Sequence, residues 1–205
     1  MSIHGARLKI IRRLGTPLPG LTRKEPATRS AEYASPRTAS RPRRKPSAHR
    51  LRLEEKQKLR FNYGVTETQM RRYLRAARRQ PGVAGENLLS LLERRLDSAV
   101  FRLGFAPTIP AARQLVVHGH IHVDDRRMDR PGYLVRVGEV ISLSPAARER
   151  DSLHAIAEQG PRLRLPSHLA LDPQGRSSGR VVSMPARSDV PFPVREALVI
   201  EFYAH

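Results

Sequence analysis

The sequence predicts an α+β chain, and three observations carry that prediction. Apolar residues recur at three- and four-residue spacing through the middle of the chain, as in Leu88, Leu92, Leu96, Ala99 and Leu103, the period of a helix packed on one side. Past Gly119 the period becomes two: Ile121 and Val123 alternate with His122, and Tyr133–Val137 and Val140–Leu143 alternate around Pro131-Gly132 and Gly138. That is the signature of short strands joined by tight turns. The first 47 residues hold six prolines, many arginines and Tyr33 as their one aromatic, too little apolar surface to bury a core unaided.

Residues 1–47 therefore read as an extended basic arm, flexible alone and ordered by its partner. Ser47 is a helix cap, and the helix it starts runs to Tyr63 and Gly64. Thr66 with Gln69 makes a capping box for a second helix. Its stripe is Met70, Tyr73, Leu74 and Ala77, which leaves Arg71, Arg72, Arg75, Arg78 and Arg79 outside. Pro81 and two glycines make Gln80–Gly85 a linker. A single helix is then expected from Gly85 to Gly104, ended by that glycine in the left-handed conformation with Phe105 folding back. Thr108 caps the next helix, Pro110 is tolerated in its first turn, and Gly119 stops it. Arg148 to Gly160 is helix-permissive, the following stretch is rich in turns, and Ala197–Ile200 is apolar.

Charge narrows the class of partner. The 205 residues carry 38 Lys and Arg against 19 Asp and Glu, a net charge of +19 with a pI near 11.5. Such self-repulsion calls for a polyanion, either nucleic acid or an anionic membrane. No apolar run approaches the ~18 residues a membrane span needs. Only Lys9, Lys24, Lys45, Lys56 and Lys58 are lysines. The arginine bias fits bidentate phosphate binding and base stacking, and equally fits GC-rich codons. Basic residues number 14 against 2 acids in 1–52 and 6 against 6 after 150, so the N-terminal half is the main electrostatic footprint. The absence of cysteine excludes disulfides, thiolate catalysis and Cys-based zinc, and fits a reducing compartment.

Cations and polar side chains off the apolar stripes are the candidate phosphate contacts. They are Arg7, Lys9, Arg12 and Arg13 in the arm; Arg50, Arg52, Lys56 and Lys58 in the first capped helix; Arg72 and Arg75 in the second; then Arg94, Arg95, Arg113, Gln114, His118 and His120, with Arg102 on the same face. His118, His120 and His122 alternate, but Gly119 breaks the element between them, so no metal site is read there. Glu93, Asp97, Asp124, Asp125, Asp129 and Glu139 read as helix-surface or turn positions. No catalytic constellation and no cofactor site follow from them.

LLERRLDSAVFRLGFAPTIPAARQLVVHGHIHV (91–123) resembles the S-four-type RNA-binding module, which also occurs in pseudouridine synthases, some tyrosyl-tRNA synthetases and a small heat-shock RNA binder. RRLGTPLPGLTRK (12–24), LRLEEKQKLRFNYGVTETQMRRYLRAA (51–77) and VREALVIEFY (194–203) are similar to the small-subunit ribosomal protein four family itself. The resemblance implies a mostly helical domain (48–92, completed by 155–205) into which the two-helix-plus-sheet module (93–154) is inserted, with the basic arm (1–47) preceding both. It implies a structural, non-enzymatic protein that binds 16S-type rRNA early and nucleates subunit assembly. It also implies contact with small-subunit protein five at a boundary that influences translational accuracy, and no membrane or small-molecule substrate. The alternatives are an RNA-modifying enzyme or a stand-alone RNA-binding stress protein using the same module.

Two places depart from the family. Asp124-Asp125 stands where Asn-Gly is usual, so a looser or longer hairpin is expected there, with weakened RNA contact. PRTASRPRRK within 34–45 replaces a Gly- and His-containing loop. Arg7, Lys9, Arg12 and Arg13 precede no apolar stretch, so no secretory signal is expected, and the family-like 12–24 segment leaves no room for a transit peptide. The wording of 51–64 and 106–121 is closest to the plastid and cyanobacterial branch. That implies a plastid ribosome with the protein made in the organelle, with bacterial cytoplasm as the alternative.

Overall fold

The computed structural model describes residues 7–23, 47–173 and 175–204. Helix α1 (Arg7–Leu14) is followed by α2 (Ala48–Asn62), α3 (Glu67–Arg79), α4 (Ala84–Glu93), α5 (Leu96–Arg102) and α6 (Ile109–Val117). Next come β1 (Ile121–Val123), β2 (Arg126–Arg127), β3 (Val140–Leu143), α7 (Pro145–Arg148), α8 (Asp151–Gln159), β4 (Leu169–Leu171), β5 (Ser178–Val181) and α9 (Glu196–Phe202). The result is α+β, and a single connected core runs through it.

Caps place most helix ends where the sequence puts them. The Ser47 hydroxyl accepts from Arg50 N at 3.3 Å. Thr66 N donates to Gln69 Oε1 at 3.0 Å while Gln69 N donates to Thr66 Oγ1 at 3.3 Å, completing the capping box. Ala111 N donates to Thr108 Oγ1 at 3.3 Å. Gly104 has φ +89°, and Phe105 N and Gly104 N reach back to Val100 O and Phe101 O, both at 3.1 Å, which satisfies carbonyls left over at the helix end. A Cβ on Gly104 would also lie 2.5 Å from Gly160 C and from Pro161 N.

Five expectations need correction. The arm is folded over 7–23: Ile11, Leu18 and Leu21 are buried, Gly20 N donates to Asn62 Oδ1 at 3.0 Å, and Ile109 N donates to Gly20 O at 2.8 Å. This segment cannot make a core, but three of its apolar side chains enter one that later elements build. A Cβ at Gly20 would come within 2.6 Å of Ile109 Cδ1, a measure of how closely it docks. Residues 1–6 and 24–46, including the 34–45 departure, lie outside the described residues.

The helix expected from 85 to 104 is two helices. It breaks at Arg94–Arg95, where Arg95 bridges to Leu134 and Leu96 N donates to Tyr133 O at 2.8 Å. Tyr133–Val137 is accordingly not a strand; its backbone meets the break instead, with Val135 N donating to Arg94 O at 2.9 Å. The sheet is larger than expected, five antiparallel strands ordered β2-β1-β3-β5-β4, with β5 pairing β3 at Ile141↔Gly179. Residues after 155 thus extend the module's sheet as well as supplying α9, which packs on α2 and α4.

The last correction is the β1–β2 turn, which is neither longer nor looser. Asp124 (φ 47°) and Asp125 (φ 61°) both take the left-handed conformation that a two-residue primed turn requires, closing Val123 onto Arg126. Aspartate tolerates that region better than most side chains. Asp124 also ties the turn to β3, its N donating to Val140 O and its Oδ1 accepting from Val140 N, each at 2.9 Å.

Candidate nucleic-acid interface

Three faces carry exposed members of the predicted set. Helix α3 turns Arg71, Arg72, Arg75, Arg78 and Arg79 to solvent while Met70, Leu74 and Ala77 enter the core. On α1, Lys9, Arg12 and Arg13 are exposed and Arg7 is half-buried. At the end of α6, Gln114 and His118 are exposed and His120 is half-buried. There Arg127 of β2 closes over Gly119, whose Cβ would fall 2.4 Å from Arg127 Nε. Arg150, ahead of α8, places Nη1 3.4 Å from His120 Nε2. Burial lowers the His120 pKa, and the charges of Arg150, His118 and Arg127 lower it further.

Other predicted contacts are engaged within the protein. Arg50 pairs with Glu54 and Arg52 with Glu201, both at 2.9 Å, and Lys58 pairs with Glu55 at 2.7 Å. Lys56 is corrected outright: its side chain is 8% exposed, paired with Glu67 at 3.2 Å and 4.3 Å above the Phe202 ring. It seals α2 against α3 and α9. Arg94 donates through Nε to Val135 O at 3.0 Å.

Arg95 is the second outright correction, with a side chain 1% exposed. Its Nε and Nη2 donate to Asp97 Oδ1 and Oδ2 at 2.9 and 2.7 Å, and its Nη1 donates to the Tyr73 hydroxyl. Burial opposes the guanidinium's charge, but Asp97 and Tyr73 more than offset it, so its pKa is raised. Arg113 joins the same carboxylate, donating from Nη2 at 2.8 Å, and reaches Gly64 O at 2.8 Å. A phosphate has no approach to Arg95.

A second buried network lies under α5. Arg102 Nη2 donates to Asp189 O at 2.8 Å, and its Nε stands 3.7 Å from Glu93 Oε2. Burial raises the Glu93 pKa, outweighing Arg102 and the Tyr63 hydroxyl that donates to it at 2.5 Å. Glu93 and Asp97 are therefore buried, not on a helix surface as the sequence suggested. Asp189 accepts from Ser167 N, Ala186 N and His168 Nδ1 at 2.8, 2.9 and 3.1 Å. Burial works against its charge, but these donors together lower its pKa, while burial holds His168 neutral in spite of Asp189.

Both groups have depressed folded-state pKa values, so each contributes stability that is full above its ordinary value and lost as pH falls below it. For His168 the loss starts below about 6.5 and for Asp189 below about 3.9. Glu93, raised by burial, runs the opposite way. In melts between pH 7.5 and 5, His168→Gln is expected to lose the part of the acid slope that the parent chain owes to His168. Parallel pH profiles for the two would show that His168 is solvated.

The cationic surface and the two buried networks sit inside a recognisable sequence frame. Residues 2–93 match the Ribosomal protein S4/S9 N-terminal domain and residues 94–141 match the S4 domain. The small ribosomal subunit protein uS4 of Synechococcus sp. (strain JA-3-3Ab) is 50% identical over 201 residues, 98% of this chain and 96% of the relative. The chain belongs to the uS4 family. Small ribosomal subunit protein uS4c of Nephroselmis olivacea and of Chara vulgaris are 47% and 46% identical over the same share of this chain. In this uS4 chain the two matched domains meet between Glu93 and Arg94, where α4 ends and the backbone turns to meet Leu134. Arg127 and Arg150 were not among the predicted contacts. Only the folding of β2 and α8 around Gly119 brings them beside His120, and no local spacing encodes that.

Proposed function

We propose that this chain is a structural, non-catalytic constituent of the small ribosomal subunit that binds its rRNA. The observation that carries this reading is 50% identity with a small ribosomal subunit protein along 98% of the chain. It binds early, nucleates assembly of the subunit body and meets protein five at a boundary that affects decoding, as the family resemblance implies. The phosphate contacts are Arg7, Lys9, Arg12, Arg13, Arg72, Arg75, Arg94, Gln114, His118 and His120, with Arg50, Arg52, Lys58 and Arg113 available once their acid partners yield. The arm with the helical part, and the module at 93–154, are two RNA-facing units. The compartment has two readings: likeness to uS4c proteins favours a plastid ribosome, and the slightly higher identity with Synechococcus favours a bacterial cytoplasm.

The chain is expected to co-sediment with small subunits in high-salt gradients. Its affinity for small-subunit rRNA should fall with salt by roughly 0.7–0.9 log unit of K per log unit of salt for each phosphate neutralised. Changing Arg72 and Arg75 together to Ala should flatten that slope by one or two contacts at unchanged melting temperature, because both side chains are exposed. An unchanged slope would move the surface away from α3. An rRNA modification that depends on the chain would favour the enzyme reading instead.

A further inference from the structure

A groove of about 310 Å³ runs between α6 and α8. Its walls are apolar: Pro107, Ala111 and Leu115 on one side, Leu153 and Ile156 on the other. Its mouth is not. His118 and His120 stand there with ring centroids 6.1 Å apart and planes inclined at 67°, beside Arg150 and, across Gly119, Arg127. Among the described residues neither Arg127 nor Arg150 has an ion-pair partner, although Glu149 and Asp151 flank Arg150 in sequence. Arg50, Arg52, Lys56, Lys58, Arg95 and Arg113 each have a carboxylate partner; Arg127 and Arg150 have none, and Arg150 reaches the His120 ring instead.

An apolar slot with imidazole faces and unpaired guanidiniums at its mouth matches one kind of ligand. A single-stranded nucleotide brings a flat ring that gains from leaving water, with a phosphate on each side of it. A protein side chain filling the slot would need acids on both flanks to use the same cations. Paired RNA presents no free ring. We propose that the groove between α6 and α8 receives one unstacked rRNA nucleobase, with its flanking phosphates held by Arg127 and Arg150 and His118 lying against the ring. This rests on the rRNA-binding reading above.

The test uses the full chain and transcribed small-subunit rRNA. Ala111→Leu fills the slot without changing charge, and Ile156→Gln alters the opposite wall; thermal melts identify whichever folds normally. Stacking of one base on a protein surface is worth ~1–3 kcal/mol, so the folded variant should bind about 5- to 150-fold more weakly with its salt slope unchanged. One single-stranded nucleotide that the parent chain shields from base-specific chemical probing should become reactive. Arg150→Gln should flatten the salt slope by about one phosphate. If filling the slot leaves both affinity and probing pattern as in the parent, the groove holds no base and the proposal fails, whatever Arg150→Gln does. If the parent chain itself fails to bind rRNA, it is the functional reading that falls.

Discussion

Asp97→Ala is expected to destabilise the protein by about 3–5 kcal/mol, the cost of removing one partner from a buried ion pair. Asp97 is wholly buried and accepts from Arg95, Arg113 and Ser98 N. Without it the Arg95 guanidinium keeps only the Tyr73 hydroxyl, in a place that water does not reach. The loss extends beyond one pair, because Tyr73 belongs to α3 and Gly64 to the end of α2. Asp97 therefore holds the helical part against the two-helix module. Urea denaturation should show the loss, and Arg95→Met combined with Asp97→Leu should recover most of it, since an apolar pair needs no compensation. A single Asp97→Ala cost below about 1 kcal/mol would mean that Arg95 finds solvent.

Leu96→Ala should cost about 2–5 kcal/mol through a cavity that the surroundings only partly fill. Leu96 is fully buried at the first turn of α5, and its amide is already fixed to Tyr133 O, so the backbone has little freedom to collapse inward. For a chain of this size each kcal/mol corresponds to roughly 2–4 °C in melting temperature. Thermal melts beside an rRNA titration separate this variant from the Arg72 and Arg75 pair. The core change should lower the melting point and, by loosening the module, weaken binding; the surface change should weaken binding alone. A Leu96→Ala melt equal to the parent's would contradict the packing described for α5.

Local signals in the sequence were reliable where their physics is local. Ser47, Thr66 with Gln69, Thr108, Gly104 and Gly119 mark helix ends because a cap or a left-handed residue acts within one turn. The break at Arg94–Arg95 was invisible for the opposite reason. Leu92, Leu96 and Ala99 keep helical spacing across it because α4 and α5 bury their stripes in the same core, while the partner that interrupts the helix, Leu134, lies far along the chain. Tyr133–Val137 alternates like a strand yet is spent on that interruption. β4 and β5 are short, and Gly179 within β5 weakens the pattern. For the site, spacing told which cations leave an apolar stripe but not which acid waits behind it. Asp97 captures Arg95 from two residues away because the helix break turns both side chains inward, and Glu67 captures Lys56 through a tertiary contact. Arg127 and Arg150 became visible only once β2 had brought one to Gly119 and the start of α8 had brought the other to His120.

Helix α2 is closed by an element made long after it. Arg52 and Glu201 are 149 residues apart, and Phe202, whose ring covers Lys56, follows directly. At roughly 5–20 residues per second, synthesis leaves an interval of about 7–30 s in which α2 exists and its cover does not. During that interval Arg52 has no carboxylate opposite it and Lys56 has no ring above it. Lys56 already has Glu67 beside it, so the growing chain carries one more unpaired cation along α2, Arg52, than the finished one. Completion of α9 neutralises Arg52 and covers the Lys56–Glu67 pair, and it leaves the outward arginines of α3 to meet RNA.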